Sequence, residues 1–169
     1  MLIVFSGLPG AGKSTIARLL AERLKATYLR IDTIEQALRV CGTLPAGVLT
    51  EGYAVAYRVA EDNLRAGGTV IADSVNPLAI TRDAWVAVAA RAAVPVVEVE
   101  VICTDSEEHR RRVEGRAGDV PGLTLPTWEA VKRRDYEQWN RPHVVLDTAL
   151  RSVEQSVAEL LRTLNLYAT

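Results

Sequence analysis

Short apolar runs of strand length alternate along this chain with longer segments of helical periodicity. The run at residues 2–6 is apolar up to its last position and predicts a buried strand. Four further runs of similar character predict strands at residues 27–31, 69–72, 95–103 and 143–146. The runs at residues 27–31 and 69–72 lead directly into the carboxylates Asp32 and Asp73. The pattern therefore predicts five strands, and the second and third are each followed at once by an acidic side chain.

The segments between the strands carry apolar residues three and four positions apart, the spacing of one helical face. One helix is predicted over about residues 13–25, and another carries Tyr53 and Tyr57 on its apolar face before Gly67 and Gly68 stop it. The remaining helices are predicted after Pro77, after a cap at Asp105 or Ser106, over residues 127–139, and along the stripe from Val153 to Leu164. Strands that alternate with helices favour right-handed crossovers and a parallel sheet covered on both faces. We predict one three-layer α/β domain over residues 1–169, with a five-stranded parallel sheet flanked by helices.

The strongest motif lies between the first strand and the first helix, and it fits the pattern GxxxxGK(S/T). It runs from Gly7 to Ser14, and its predicted nucleotide-binding residues are Gly7, Gly10, Ala11, Gly12, Lys13, Ser14 and Thr15. Glycines let the backbone curl so that successive N–H groups point at phosphate oxygens. The lysine places a positive charge on the β- and γ-phosphates, and the serine hydroxyl can ligate Mg²⁺. The strand before the loop and the helix after it are the expected context, so the motif predicts phosphate binding.

The composition of the chain argues against several classes of binding partner. The formal net charge is −1, from 20 basic and 21 acidic residues, which disfavours long nucleic acid. Apolar runs are too short for a membrane span, so we expect a soluble cytoplasmic protein, as monomer or homodimer. Cys41 and Cys103 do not form a metal or disulfide pattern and are expected to be buried free thiols.

Other classes that share this loop lack their markers here. A GTPase switch would need an Asn-Lys-x-Asp segment and an Asp-x-x-Gly after the third strand, but Asp73 is followed by Ser74, Val75 and Asn76. A motor ATPase would carry an acidic pair at that strand end and a second domain. A kinase is the class that remains, with ATP and Mg²⁺ as expected cofactors and with Ser14 and Asp73 as candidate metal ligands.

Asp32 is the candidate catalytic carboxylate. It follows the second strand, across the carboxyl-end crevice of the sheet from the phosphate loop. There it could orient or deprotonate an attacking hydroxyl, or hold Mg²⁺ through water, although it could also cap the next helix.

Arg112 and Arg116 are the candidate charge-stabilising residues. They are four positions apart, so they are expected on one helical face, where two guanidiniums could hold triphosphate oxygens. Residues 112–126, rich in Gly and Pro towards the end, are predicted to form a short lid that excludes water during transfer. Lys13, Asp32 and the two arginines form the predicted catalytic set.

The residues that bind the phosphoryl acceptor are less clearly indicated by the sequence than those that bind the nucleotide. Asp32, Arg39, Tyr57, Arg58 and Asn76 are the candidate substrate residues. An anionic acceptor would favour Arg39 or Arg58 as a clamp, whereas a neutral aromatic acceptor would favour tyrosine and tryptophan surfaces.

These residues together resemble the nucleotide and small-molecule kinase branch of P-loop proteins, including the compact AAA-type ATP-binding kinases. The segment from Arg112 to Arg116 resembles the lid arginine motif of adenylate kinases, and the segments starting at Asp73 and at Pro142 resemble adenylylsulfate kinases. Asp32 lies where chloramphenicol phosphotransferase-like and shikimate kinases keep an acidic residue. Adenylylsulfate kinases would show a Leu-Asp-Gly-Asp strand end, whereas this chain has Arg30-Ile31-Asp32-Thr33.

The resemblance implies transfer of the γ-phosphoryl group of ATP to a hydroxyl of a small molecule. Two alternatives stay open. One is a nucleotide or polynucleotide 5′-kinase, and the other is a nucleotide-binding regulatory protein without turnover.

Overall fold

Five parallel strands form one sheet in the computed structural model, which describes residues 1–42 and 50–167. The strands are β1 (Leu2–Ser6), β2 (Thr27–Arg30), β3 (Val70–Asp73), β4 (Val96–Ile102) and β5 (Val144–Asp147). Their order across the sheet is β2-β3-β1-β4-β5, and every neighbouring pair is parallel. The first strand is therefore central, and the second and fifth form the two edges.

Helices cover both faces of this sheet. Within the described residues they are α1 (Lys13–Leu24), α2 (Ile31–Val40), α3 (Thr50–Arg65), α4 (Ala79–Arg91), α5 (Ser106–Gly115), α6 (Trp128–Lys132) and α7 (Val153–Tyr167). None of them, in this part of the chain, is long and apolar enough to cross a membrane. The α/β architecture with a five-stranded parallel sheet is confirmed.

Alternate residues of β1 supply the two cores. Ile3 and Phe5 pack with α1 and α7, whereas Leu2 and Val4 pack with α3 and α4 around the buried Trp85. Side chains of a strand point alternately to opposite faces, so a strand buried on both sides is apolar throughout. This explains why β1 reads as an uninterrupted apolar run.

The carboxyl ends of the three strands β1, β2 and β3 lie level with one another. Phe5 is in register with Asp73, and Asp73 is in register with Arg30. The loop after β1 therefore opens at the middle of this sheet edge, with charged side chains beside it.

The predicted helix over residues 127–139 is wrong beyond Lys132. The chain leaves the helix because a buried arginine, Arg82, needs backbone carbonyls, and its guanidinium donates to the carbonyls of Pro77 and Glu137 at 2.9 and 2.8 Å. A helix through these positions would direct the Glu137 N–H to a carbonyl one turn earlier, whereas it donates to the carbonyl of Pro77 at 2.9 Å.

Two smaller expectations also change. Ile31 begins α2 rather than ending β2, which places Asp32 in the first helical turn. The cysteines are free, but Cys41 is exposed and Cys103 is half-buried, so the expectation of buried thiols is wrong.

Candidate active site

The phosphate loop joins β1 to α1 and depends on glycine at three positions. Gly7, Gly10 and Gly12 have φ angles of 134°, 83° and 96°, a region that other residues rarely adopt. A Cβ atom at Gly7 would lie 2.1 Å from the carbonyl oxygen of Val101, and one at Gly10 would lie 2.4 Å from the Val113 side chain. The loop is therefore fixed by close contact with its neighbours as well as by backbone conformation.

The start of α1 is left open to an anion. Gly12 is the N-cap, no side-chain hydrogen bond caps the helix, and its first turn contains no acidic residue. The first N–H groups of a helix lack partners within the helix and carry its positive dipole end. Lys13 lies at this point with its Nζ 3.1 Å from the carbonyl oxygen of Leu8, which keeps the ammonium over the loop.

Three contacts from other elements hold the loop in place. The carbonyl of Val75, after β3, accepts from the N–H of Gly7 at 3.1 Å. The buried His109 of α5 has its Nε2 2.8 Å from the carbonyl oxygen of Pro9. Thr148, after β5, donates to the carbonyl of Ala11 at 3.0 Å. The loop conformation thus depends on both flanks of the sheet.

A cavity of about 570 Å³ opens in front of the loop. Its lining includes Gly10, Gly12, Lys13, Ser14 and Thr15 of the phosphate-binding segment. Its charged lining residues are Lys13, Arg18, Arg30, Arg111, Arg112, Arg116 and Asp119. Six cationic side chains against one carboxylate, among the residues described, make this a cavity for an anion.

The pKa of Lys13 is lowered from its ordinary value, chiefly because the ammonium is buried. Burial lowers the pKa of Lys13, while Asp73 and Asp32 raise it again and Arg116 and Arg30 lower it further. Burial also lowers the pKa of Arg116, with partial compensation from Asp32. A bound polyphosphate would stabilise the charged form of both groups.

Arg112 and Arg116 both line the cavity, but they differ in their partners. Arg112 donates from Nε to Glu108 at 2.7 Å and from Nη1 to the Thr148 hydroxyl at 2.8 Å. Arg116 follows the end of α5 with extended backbone, and its buried Nε has no hydrogen-bond partner within the described chain. The pair therefore meets at one cavity without sharing a helical face, and Arg116 is the guanidinium with donor capacity left for a ligand.

Asp32 lies beside the cavity, in the first turn of α2. Its carboxylate is 3.7 Å from Nη2 of Arg30 and 44% exposed, and no side-chain hydrogen bond caps that helix. Asp73 is buried at the end of β3 and accepts a hydrogen bond of 2.6 Å from the Tyr28 hydroxyl. Both carboxylates act to raise the pKa of Lys13, against the effect of its burial.

Among the described residues, neither Asp32 nor any other candidate substrate residue is part of the cavity lining. Arg39 pairs with Glu35 along α2, and Arg58 is 79% exposed on α3 near Glu61. The Tyr57 hydroxyl donates to the carbonyl of Thr81 at 3.3 Å, and its ring packs edge-on against Trp85.

Asn76 is fully buried and donates from Nδ2 to the Ser6 hydroxyl at 3.0 Å. The amide supports the end of β1 from inside the core, and the predicted contact of Asn76 with an acceptor stays a prediction. Its position directly after the β3 carboxylate had suggested a crevice residue instead.

A second cavity, of about 430 Å³, lies on the β5 side and shares Gly12, Thr15 and Arg112 with the first. Thr148 and Ser152 also line it. Sequence reasoning missed Thr148, Arg30 and Asp119. The first follows a strand end in the same way as Asp32, which is the signal that could have found it, whereas the other two carry no local signal.

Comparison with known proteins agrees with this geometry. A family model described as an AAA domain matches residues 2–137. The chain belongs to this family. It is similar to the adenylyl-sulfate kinase of Picosynechococcus sp., with 29% identity over 173 residues, covering 95% of this chain and 90% of that protein.

Solved structures show the same P-loop kinase fold. The APS kinase CysC of Mycobacterium tuberculosis, in complex with AMPPNP and APS, has a TM-score of 0.72 at 24% identity, covering 97% of this chain and 96% of that one. A sugar kinase from Janibacter sp. HTCC2649 has a TM-score of 0.68 at 18% identity, covering 97% and 94%. This family member is an ATP-dependent kinase with a hydroxyl acceptor on a small molecule. The relatives differ in substrate, so they do not name the acceptor.

Proposed function

We propose that this protein transfers the γ-phosphoryl group of magnesium-bound ATP to a hydroxyl of a small molecule, with Asp32 orienting that hydroxyl. The observation that carries the proposal is the charge arrangement at the loop. Lys13 and Arg116 are buried or half-buried cations that line one cavity, and the carboxylate of Asp32 lies 3.7 Å from Arg30 of the same cavity and acts to raise the pKa of Lys13 and of Arg116. Cations favour the charge on a transferring phosphoryl group, and a carboxylate favours the attacking hydroxyl.

ATP fits this site in one direction. The second cavity lies beside Thr148 at the β5 side and shares the lining residues Gly12, Thr15 and Arg112 with the first. A nucleoside there would let the triphosphate run along the loop to Lys13, with the γ-phosphate pointing away from β5. The acceptor would then approach from the β2 side, where Asp32 lies.

The residues at the loop also fit a magnesium ion. Ser14 lines the cavity, and Asp73 is a buried carboxylate at the adjacent strand end, held in place by Tyr28. In the described residues, no three His, Cys, Asp or Glu side chains gather to form a metal site by themselves. This agrees with an ion that is held by phosphate oxygens and only one or two protein groups, as is usual for Mg²⁺. Such an ion would neutralise charge on the β- and γ-phosphates.

The protein groups divide the work on either side of the transferred group. Asp32 accepts a hydrogen bond from the acceptor hydroxyl and takes its proton as the new P–O bond forms and the bond to ADP breaks. Arg116 has an unused donor and stabilises the transferring phosphoryl group. Arg112 is already bound to Glu108 and Thr148, so we assign it to holding the junction of the two cavities. The segment 116–126 would close over the site and keep water from competing with the acceptor.

The test is the variant Asp32→Asn with a panel of hydroxyl compounds, adenylyl sulfate included, assayed for ADP release. We expect turnover to fall by roughly 10² to 10⁴, the usual contribution of a positioned acid or base, while the Kd for ATP stays close to the wild-type value. Asp62→Asn is the matched control, because Asp62 is exposed on α3 next to Asn63, which contacts Thr27 at the opposite end of β2. Equal turnover in Asp32→Asn and wild type would overturn the role of Asp32.

A nucleotide acceptor is the second candidate. The arginine-rich lining favours it, and the Mycobacterium tuberculosis relative is bound to both AMPPNP and APS. Nucleoside 5′-monophosphates and short 5′-hydroxyl oligonucleotides in the same panel distinguish this candidate from other hydroxyl compounds. A regulatory protein without turnover would release no ADP with any compound while still binding ATP.

A further inference from the structure

The cavity is also lined by Arg30, a cationic side chain to which the proposed transfer gives no role. Arg30 ends β2, and its side chain is only 14% exposed. Its Nη1 donates to Oδ2 of Asp119 at 2.7 Å, and its Nη2 lies 3.7 Å from Asp32. Its Nε is buried and has no hydrogen-bond partner in the described structure. Arg30 is therefore a nearly buried guanidinium with unused donor capacity, facing the same cavity as Lys13.

The carboxylate that Arg30 binds comes from the proposed lid and is shared. Oδ2 of Asp119 also lies 3.7 Å from Nη2 of Arg18, which is one helical turn beyond Ser14 on α1. Arg18 and Asp119 are about half exposed, at 51% and 47%. One oxygen of a loop carboxylate thus lies between two guanidiniums from two different elements, both of which line the cavity.

This group lies on the acceptor side of the site. Arg30 is at the end of the edge strand β2, whereas the second cavity lies beyond the opposite edge, at β5. The phosphate loop is between them, after the central strand. An ATP molecule that places its nucleoside near Thr148 would reach Lys13 before it reaches Arg30. The strand end at Arg30 is also where this chain departs from the adenylylsulfate kinase pattern.

We propose that Arg30 and Arg18 form an anion subsite for the acceptor, and that Asp119 occupies it as an internal stand-in until the acceptor binds. This rests on the proposed function and extends it. The acceptor is a hydroxyl compound that carries a separate phosphate, sulfate or carboxylate group. Its anion replaces Asp119 between the two guanidiniums, while its hydroxyl reaches Asp32, the neighbour of Arg30 in the same strand-to-helix turn.

Exchange of one anion for another makes such a subsite selective. Both guanidiniums are already paired, and Arg30 is also largely desolvated, so an incoming oxyanion replaces an existing contact and gains the unused Nε donor of Arg30. A neutral acceptor would either leave Asp119 in the cavity or leave a nearly buried charge without a partner. Sites built around a polar group discriminate strongly against analogues that lack it.

The binding test does not require an identified acceptor. Inorganic sulfate is titrated by calorimetry into protein saturated with magnesium and ADP, so that the nucleotide side is filled. We expect Asp119→Asn to bind sulfate about three- to tenfold more tightly than wild type, because the competing half-exposed ion pairs are removed. Glu114→Gln is the matched control, since Glu114 is also about half exposed but pairs with Arg110, outside the cavity lining. Arg30→Gln should bind sulfate at least about tenfold more weakly.

Three results would overturn the proposal. They are sulfate binding that is unchanged in Arg30→Gln, sulfate binding that is weaker in Asp119→Asn than in wild type, or no sulfate binding to the wild-type protein. Weaker binding in Asp119→Asn would mean that the carboxylate closes over a ligand instead of competing with it.

The kinetic test uses matched pairs of hydroxyl compounds with and without an anionic group, such as glycerol with glycerol 3-phosphate and adenosine with AMP. We expect ADP release with anionic members only, and a loss of kcat/KM of roughly 10² in Arg30→Gln with an unchanged Kd for ATP. Turnover of neutral members at equal efficiency would overturn the anion subsite and leave phosphoryl transfer intact. Absence of turnover with every compound would contradict the proposed function, whereas the sulfate titration would still decide the subsite.

Discussion

The two sides of the phosphate loop are built from different kinds of contact. On the β5 side, the Thr148 hydroxyl donates to the Ala11 carbonyl and accepts a hydrogen bond from Arg112. The buried His109 contacts the Pro9 carbonyl. On the β2 side, Arg30 and Arg18 form ion pairs with the half-exposed lid carboxylate of Asp119. The first side is fixed by buried hydrogen bonds to backbone, and the second by charges that can change partners.

The energies of these contacts explain what each side can do. An exposed ion pair such as that between Arg18 and Asp119 contributes about 0–1 kcal/mol, and a ligand anion that replaces Asp119 would also restore a partner to Arg30. A buried polar group that loses its partner costs about 1–3 kcal/mol, so the β5 side resists rearrangement. We infer that the nucleotide side is preformed and that the acceptor side is exchangeable.

The largest effect is expected where the two sides meet. Lys13→Ala removes the buried cation of the loop and should lower turnover by about 10³ or more, because it acts on the transferred phosphoryl group itself. The measurement is single-turnover ADP formation, with circular dichroism to check folding. Lys132→Ala, which removes an exposed lysine paired with Glu129 on α6, should keep wild-type turnover. If Lys13→Ala kept more than about a tenth of the wild-type rate, Lys13 could not be the residue that acts on the phosphoryl group between the two sides.

The next effect tests whether the nucleotide side is preformed. Thr148→Val keeps the shape but removes the hydroxyl that holds Ala11, Ile102 and Arg112. We expect a loss of about 1–3 kcal/mol in the free energy of unfolding and weaker ATP binding, with sulfate binding to the ADP complex unchanged. Urea denaturation and calorimetry measure both. Thr163→Val is the control, because that hydroxyl bonds only within α7, to Glu159. A loss of sulfate binding would show that the two sides are not separate.

A smaller effect is expected at His109. His109→Phe keeps an aromatic ring against Trp128, whose centroid is 5.1 Å away, but removes the contact with the Pro9 carbonyl. The Kd for ATP should rise several-fold, because a loop hydrogen bond contributes about 0.5–1.5 kcal/mol. Fluorescence titration with a labelled ADP analogue measures it. An unchanged Kd would remove α5 from the set of elements that hold the loop.

The smallest effect is expected at Arg58. Arg58→Ala removes a side chain that is 79% exposed and contacts Glu61 at 3.9 Å, so kinetic constants and stability should stay within about twofold and 0.5 kcal/mol of wild type. Steady-state assays with the best acceptor from the panel provide the comparison with Arg30→Gln. A tenfold rise in acceptor KM would extend the acceptor side across α3 and contradict its confinement to β2 and the lid.

The phosphate loop, the five-stranded parallel sheet and the position of Asp32 after the second strand could all be predicted from the sequence. Each of them follows from residue types and spacings within a short segment. Gly7 and Gly10 have positive φ and no room for a Cβ, so the loop conformation itself requires glycine at the positions that define the motif. The contact between Arg30 and Asp119 joins residues 89 positions apart and depends on which strand forms the sheet edge. No local spacing carries that information. The helix expected over residues 127–139 ended early for a similar reason, since its carbonyls serve the distant Arg82.

The ion pairs around Asp119 allow the residues that select the acceptor to change without affecting the residues that stabilise the fold. Positions 18, 30 and 119 are distant in sequence and meet outside the two hydrophobic cores. A combinatorial library at these three positions should therefore diversify substrate preference while melting temperatures stay grouped, whereas a library at Gly7 or Thr148 should mainly lower the melting temperatures. Among kinases that share this fold and act on different molecules, such a separation lets a new specificity arise without a loss of the scaffold.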